Sequence, residues 1–346
     1  MIFLYPFTLL LKVPMGGILG GIHTRLVTTL HRTRLFTSKL KATAVKRHFW
    51  ILAALISLPA FSWTTQAQPT NAKRSLTSHI PARDHLAVPG SKFMHQIRTL
   101  SGDLREQAIV NQITDGNIPS LLRNLKPITV SSSNPHSSIE SVTFWVMPDY
   151  LAIGSDDDYV RVPMNLLSAE RISRSFSFRL PTKKMVDLIY ENASIKLRPR
   201  PMRPGQQMTT TPYFQRHDRI INQQLGRYSF QPSQLVAGHK KDVVQTNRLR
   251  IKPGAIAIYG WHRSQNKPIQ PLSTVHVAEY ADYSHGIRLV ANQVEIRYRD
   301  NHVTRTSLDA LLKSDSLCHW LSDEGPIKPI DRVRSKDNKS VASRSI

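Results

Sequence analysis

Apolar positions along the chain keep two rhythms. From 97 to 125 they recur at helical spacing: Leu104, Ala108, Ile109 and Ile113 fall near i, i+4, i+5 and i+9. Ile118, Leu121, Leu122 and Leu125 fall at i, i+3, i+4 and i+7. Helices are also predicted over 165–176, over 183–193 behind Thr182 as N-cap, and over 212–224. The last has Thr211 as cap, Pro212 at its first position and Gly226 as its stop. Short helices over 307–313 and 316–321 close the folded part.

Strand signals lie between these helices. Residues 142–147 are β-branched and aromatic. Two short strands, 151–153 and 159–162, flank the acidic turn Asp156-Asp157-Asp158. Further strands are expected at 255–259, 287–290 and 294–298, the last two joined as a hairpin across 291–293. There is no internal repeat and no regular β/α alternation. The pattern therefore predicts an α+β fold, mixed short strands and helices in one domain over 96–326.

The flanks read differently. Lys46-Arg47-His48, the apolar run 49–61 and the small residues Thr65 and Ala67 make a signal peptide over 46–67. The run is short for a membrane span. It implies a periplasmic or secreted, bacterial protein with no membrane span in its mature form. Residues 1–45 are either an upstream extension from a start codon set too early, which is preferred, or a long leader. Residues 68–95, rich in Pro, Ser, Thr and basic side chains, read as a linker, and 327–346 as a disordered basic tail.

Charge adds less than its size suggests. Of 47 Lys and Arg, eight fall in residues 1–67 with no acid among them, leaving 39 against 24 acidic residues beyond. The excess is spread out, with no block of like charge and no specific nucleic-acid motif. It suits solubility, or docking on an anionic polymer such as cell-wall material. The single cysteine, Cys318, excludes an internal disulfide and a thiolate metal cluster, and reads as a buried structural thiol.

Candidate chemistry concentrates in 238–288. His239 and Asp242 are three apart, and His276 and His285 nine apart across the loop 280–284. Such N and O donors from two loops would suit a divalent metal such as Zn²⁺, although no His-Glu-x-x-His is present and Lys240 and Lys241 would repel a cation. Without a metal, His239 and His285 become acid/base groups and Asp242 an orienting carboxylate. Lys240, Lys241 and Arg288 would hold substrate charge, and Tyr259, Trp261 and Tyr283 would stack on it. Ser284 or Ser273 as nucleophile lacks a Gly-x-Ser-x-Gly elbow. His262 is placed to join the site, while His217 reads as a surface residue. The plain alternatives are structural histidines, rings packed in a core, and a solvated turn at 156–158 in place of a Ca²⁺ loop.

The strings 237–244 (AGHKKDVV) and 283–288 (YSHGIR), with Pro148-Asp149-Tyr150 leading to Asp157 and Leu180-Pro181-Thr182, resemble those of uncharacterised secreted bacterial proteins over about residues 140–326. The resemblance implies one bacterial domain and no particular activity. The expectation is an exported protein with a His/Asp/Lys-rich cleft, a hydrolase acting on an envelope or extracellular polymer. The alternative is a non-catalytic protein of the envelope that binds glycan or peptide.

Overall fold

The computed structural model describes residues 76–328. The expected signal peptide, the segment before it and the tail from 329 lie outside the described residues. In chain order the elements are α1 (Gly90–Gln96), α2 (Gly102–Thr114), β1 (Lys126–Ser131), β2 (Ile139–Val146), β3 (Ala152–Gly154), β4 (Tyr159–Arg161), α3 (Leu166–Ser175), β5 (Phe178–Arg179), α4 (Lys183–Asn192), β6 (Ile195–Lys196) and α5 (Thr211–Leu225). They continue with β7 (Val236–Ala237), β8 (Lys241–Val243), β9 (Ile258–Ser264), β10 (Lys267–Ser273), β11 (His285–Gly286), β12 (Val290–Tyr298), β13 (Val303–Thr306) and α6 (Leu308–Lys313). The fold is α+β, as the sequence pattern indicates. Among the described residues no helix is long and apolar enough to cross a membrane.

Two sheets organise the core. The larger has the order β1-β2-β12-β13, with β5 also on β12. The smaller has the order β10-β9-β8-β11. The larger sheet packs Val142, Phe144, Val294 and Ile296 against Met185 and Ile189 of α4 and Leu308 and Leu311 of α6. A second cluster joins α1, α2 and α3 to β3, β4 and the inner residues of β9. A third joins Ile195 and Leu197 to Ile221, Leu225 and Val236.

Local chemistry explains several boundaries. Asn165, Thr182 and Ser307 accept hydrogen bonds from the backbone N of Ser168, Met185 and Ala310, so three helices start at side-chain caps. Thr211 is inside α5 rather than capping it; Thr210 precedes the helix and turns its hydroxyl to the Gln207 carbonyl. The predicted hairpin across 291–293 does not form. β12 runs straight through those positions with a register shift against β2 between Val290 and Val294, and the Asn292 side chain is used to accept from Asp309 N. The reversal comes later, between β12 and β13, where Asn301 takes a φ of 67°. The helix expected at 316–321 shrinks to a 3-10 turn at Cys318–Trp320.

Nor are residues 76–95 a linker. Ile80 is buried, and Gly90 N donates to Asp158 O. A β-carbon on Gly90 would lie 2.5 Å from Ile153 O, so only glycine allows α1 to sit this close to the β3–β4 hairpin. The acidic turn is tied to the same region: Asp156 accepts from Ser120 N and Oγ, and Asp158 from Ser91 N and Oγ. Two of its three carboxylates are committed to the protein's own donors.

Candidate functional site

Residues 238–288 do converge. β8 lies between β9 and β11, antiparallel to the first and parallel to the second. Its Lys241 pairs with Gly260 on one side and His285 on the other, and Asp242 with Tyr259 and Gly286. Asp242 and His285, far apart in sequence, thus come from paired strands, and His239 lies in the bend just before β8. Three left-handed residues let the chain bend there: Gly238 (φ 93°), Gly260 (φ 105°) and Trp261 (φ 56°). For Trp261 that conformation is strained, and it aligns the indole with Tyr283 and His217.

The core of the site is a buried ion network. Arg161, with no exposed surface, donates from Nε to Asp149 Oδ2 at 2.8 Å, with Nη2 at 2.7 Å from the same oxygen. Its Nη1 donates to Asp218 Oδ1 at 3.0 Å and Asn222 Oδ1 at 2.8 Å. The other oxygen of Asp149 lies 3.0 Å from His239 Nε2. Burial alone would raise the Asp149 carboxyl, but Arg161 and His239 outweigh it and hold it well below the ordinary carboxylate range. An ionised carboxylate only accepts, so His239 Nε2 carries the proton. His239 is 1 % exposed and its Nδ1 has no partner. Burial pulls its pKa down against the opposing pull of Asp149, so the ring is neutral with a bare lone pair on Nδ1.

Tyr150 separates this imidazole from a second carboxyl. Its ring meets His239 edge-on, centroids 4.8 Å apart, and its hydroxyl donates to Asp242 Oδ2 at 2.9 Å. Asp242 is 4 % exposed. Burial raises its pKa to about 6, with Arg288 and the Tyr150 hydroxyl holding it from rising further. Arg288 Nε is 3.9 Å from Asp242 Oδ1, and its Nη1 and Nη2 donate to the carbonyls of Met147 and Val236.

Lys240 and His285 complete the buried set. Lys240 Nζ donates to Tyr283 O at 2.7 Å and lies 3.4 Å from His217 Nδ1. Burial lowers its pKa to about 8. His217 is buried, not on the surface, with the Arg200 backbone beside its ring and no hydrogen-bond partner on Nε2. His285 has no exposed surface, and neither ring nitrogen has a partner. Burial takes its pKa to about 4, against the opposing charge of Asp282. Unpaired buried nitrogens are costly and rare, and several in one cluster call for a functional reason.

A rim adjoins Asp242. His262 Nε2 lies 2.9 Å from Asp187 Oδ1, which also accepts from the Tyr259 hydroxyl at 2.7 Å, while Lys183 Nζ binds Asp187 Oδ2 at 3.0 Å. Tyr190 stacks on His262, ring centroids 4.6 Å apart. Gly260 leaves open the space beside both groups: a β-carbon there would be 3.4 Å from Asp242 Oδ2 and 3.6 Å from His262 Cε1.

Other expectations need correcting. Among the described residues no group of three or more His, Cys, Asp or Glu is placed to hold a metal ion. Of the proposed Zn²⁺ ligands, His239 is spent on Asp149, Asp242 on Tyr150 beside a guanidinium, and His276 stacks on Tyr280 at 4.1 Å. His239 keeps only Nδ1 unpartnered and His285 both nitrogens, which is no full donor set for one ion. Tyr259, Trp261 and Tyr283 are core residues, 4 %, 4 % and 3 % exposed, and offer no ring faces to a ligand. Arg288 is held by backbone carbonyls, and Lys240 is buried. Lys241 alone of the basic set reaches partway to solvent, its Nζ 5.4 Å from the Trp261 ring centroid. Ser284 Oγ donates to Asp282 at 2.5 Å and contacts no imidazole. No family model, curated protein or solved structure matches this chain.

Proposed function

We propose that the protein is an exported hydrolase acting on an anionic polymer of the cell envelope or extracellular space, with His239 as general base and Asp242 as general acid. One observation carries the reading: Asp149 anchors His239 through Nε2 while Nδ1 is left bare. This is the arrangement by which a carboxylate fixes an imidazole as a base. Beyond Tyr150, a carboxyl raised to about 6 supplies the complementary acid. Export rests on the basic, apolar and small-residue succession of 46–67.

In this reading His239 Nδ1 takes a proton from water as its oxygen attacks the scissile bond. Asp242 gives its proton to the leaving group. The two groups are reset by passing the imidazolium proton to solvent and regaining one at the carboxyl. Lys241, at the edge of the cluster, holds negative charge on the substrate. His239 and Asp242 are both buried, so entry requires the chain around them to open.

The test is turnover of envelope material by the purified protein and by His239→Ala and Asp242→Asn. Loss of about 10²-fold or more in each, with far-UV circular dichroism unchanged, is expected. Wild-type turnover in both folded variants would remove the assignment. The burial of the imidazoles favours a second reading, a non-catalytic protein that holds the same polymer. In that case both variants bind polymer as the wild type does, and none of the three cleaves it.

A further inference from the structure

The stretch from Leu197 to Leu235 contains six arginines, no lysine and one acid, Asp218. Asp218 is buried and committed to Arg161. Arg198, Arg200, Arg203, Arg216, Arg219 and Arg227 are all exposed, and none is in an ion pair among the described residues. We propose that the segment 197–205 and the outer side of α5 form one docking face for an anionic polysaccharide bearing carboxylate or phosphate groups.

The segment lies antiparallel along the helix. Leu197 packs with Ile221, the Arg200 backbone lies beside His217, and the Arg203 carbonyl accepts from the Tyr213 hydroxyl at 2.6 Å. Contact thus moves back along α5, one turn at a time, as the segment advances. Pro199, Pro201 and Pro204 keep it extended and without backbone donors for a sheet. Its arginines at 198 and 200 point to solvent beside the buried Leu197, and Arg216 and Arg219 stand one turn apart on the exposed side of the helix. Charges of one sign with no acid among them raise the local concentration of polyanions. The use of arginine alone adds a planar donor fork matched to carboxylate and phosphate oxygens.

Single-stranded nucleic acid fits less well. Its binding surfaces use several exposed rings for successive bases, whereas Tyr213 and Tyr283 are buried beneath the segment and Tyr228, beside Arg227, is the one exposed ring of the stretch. The proposal rests on the preceding reading only for the polymer's being extracellular. Binding is measured apart from cleavage, so the two fail separately.

The experiment measures binding at low and high ionic strength to polygalacturonate, a polyglycerol-phosphate polymer, neutral dextran and a single-stranded oligonucleotide. The proteins are wild type, the triple variant Arg198→Gln/Arg200→Gln/Arg203→Gln, the double variant Arg216→Gln/Arg219→Gln, and Arg263→Gln/Lys267→Gln on the β9–β10 hairpin as control. The expected result is salt-sensitive binding of one or both anionic glycans, none of dextran, and affinity lowered about tenfold or more in the first two variants only. Which of the two glycans binds identifies carboxylate or phosphate as the group held. Equal affinity in all variants, no binding of either glycan, or tighter binding of the oligonucleotide would overturn the docking face. Wild type that binds without cleaving sinks the hydrolase reading and leaves the face standing; cleavage indifferent to the triple variant, with equal binding, does the reverse.

Discussion

Replacing Asp149 by Asn changes one atom and should damage both stability and chemistry. The carboxylate accepts from Arg161 Nε at 2.8 Å and from His239 Nε2 at 3.0 Å, and all three residues are buried. An asparagine can present its oxygen to only one of them. If it faces Arg161, the amide replaces the oxygen that also accepts from Tyr150 N, leaving that N–H without its acceptor, and donates to His239 Nε2, which must lose its proton while Nδ1 gains one. The bare lone pair disappears. Arg161 keeps Asp218 and Asn222, so the loss should fall at the lower end of the range for a broken buried pair, about 3 kcal/mol. For a domain of this size that is a drop in Tm of roughly 6–12 °C. Turnover should fall on the order of 10³-fold or more, because the base is locked in the wrong tautomer. Urea denaturation, with turnover measured well below the new midpoint, reads both effects. The pH dependence adds a sign. Asp149 is held below the ordinary carboxylate range when folded, so its contribution is present above pH 4 and fades on acidification. The stability gap between wild type and variant should therefore narrow below pH 4. A variant within about 1 kcal/mol of wild type at pH 7, with unaltered turnover, would refute the network's role.

Three further outcomes follow from the packing and protonation. Gly286→Ala places a β-carbon 2.6 Å from two Tyr150 ring atoms and 2.9 Å from Lys240 Cβ, and should cost about 1–3 kcal/mol in a denaturation midpoint; a neutral result would mean that Tyr150 is free to move. Thr182→Ala removes the cap on Met185 N and the hydrogen bond to Leu321 O, and should cost about 1–2 kcal/mol, with proteolysis of the 318–328 segment accelerated. Stability should fall on acidification from pH 6.5 to 4.5. Folded His285 refuses a proton down to about 4 where the unfolded chain accepts one at 6.5, and His217 and His239 shift the same way. Asp242, raised to about 6, and Glu106, also raised by burial, oppose them, two groups against three. A urea midpoint equal or higher at pH 4.5 would contradict these assignments.

Much of the fold can be read from local chemistry. The caps at Asn165, Thr182 and Ser307 and the β-branched run at 142–147 specify their elements with short-range interactions. The pairing of β12 cannot be read this way. Val290 to Tyr298 alternates weakly, and its Asn292-Gln293 step resembles a turn until β2 and α6 occupy its two sides. The site divides along the same line. Asp242 and His285 lie on paired strands with His239 two residues before the first of them, and their density along the chain signals that. Asp149, Arg161, His217 and Asp218 arrive from other elements, and only tertiary packing brings them in. Asp149 carried one sequence signal, its place in the Pro148-Asp149-Tyr150 string. Burial of Tyr259, Trp261 and Tyr283 was illegible because the 197–205 segment and α4, which help enclose them, are distant in sequence.

The pH dependence of wild-type turnover bears most directly on a neutral imidazole paired with a protonated carboxyl. With His239 shifted below its ordinary value and Asp242 at about 6, kcat/KM should peak in mildly acidic solution and decline as pH rises through about 6. Turnover that stays level or climbs between pH 6 and 8 would show that Asp242 does not supply the proton.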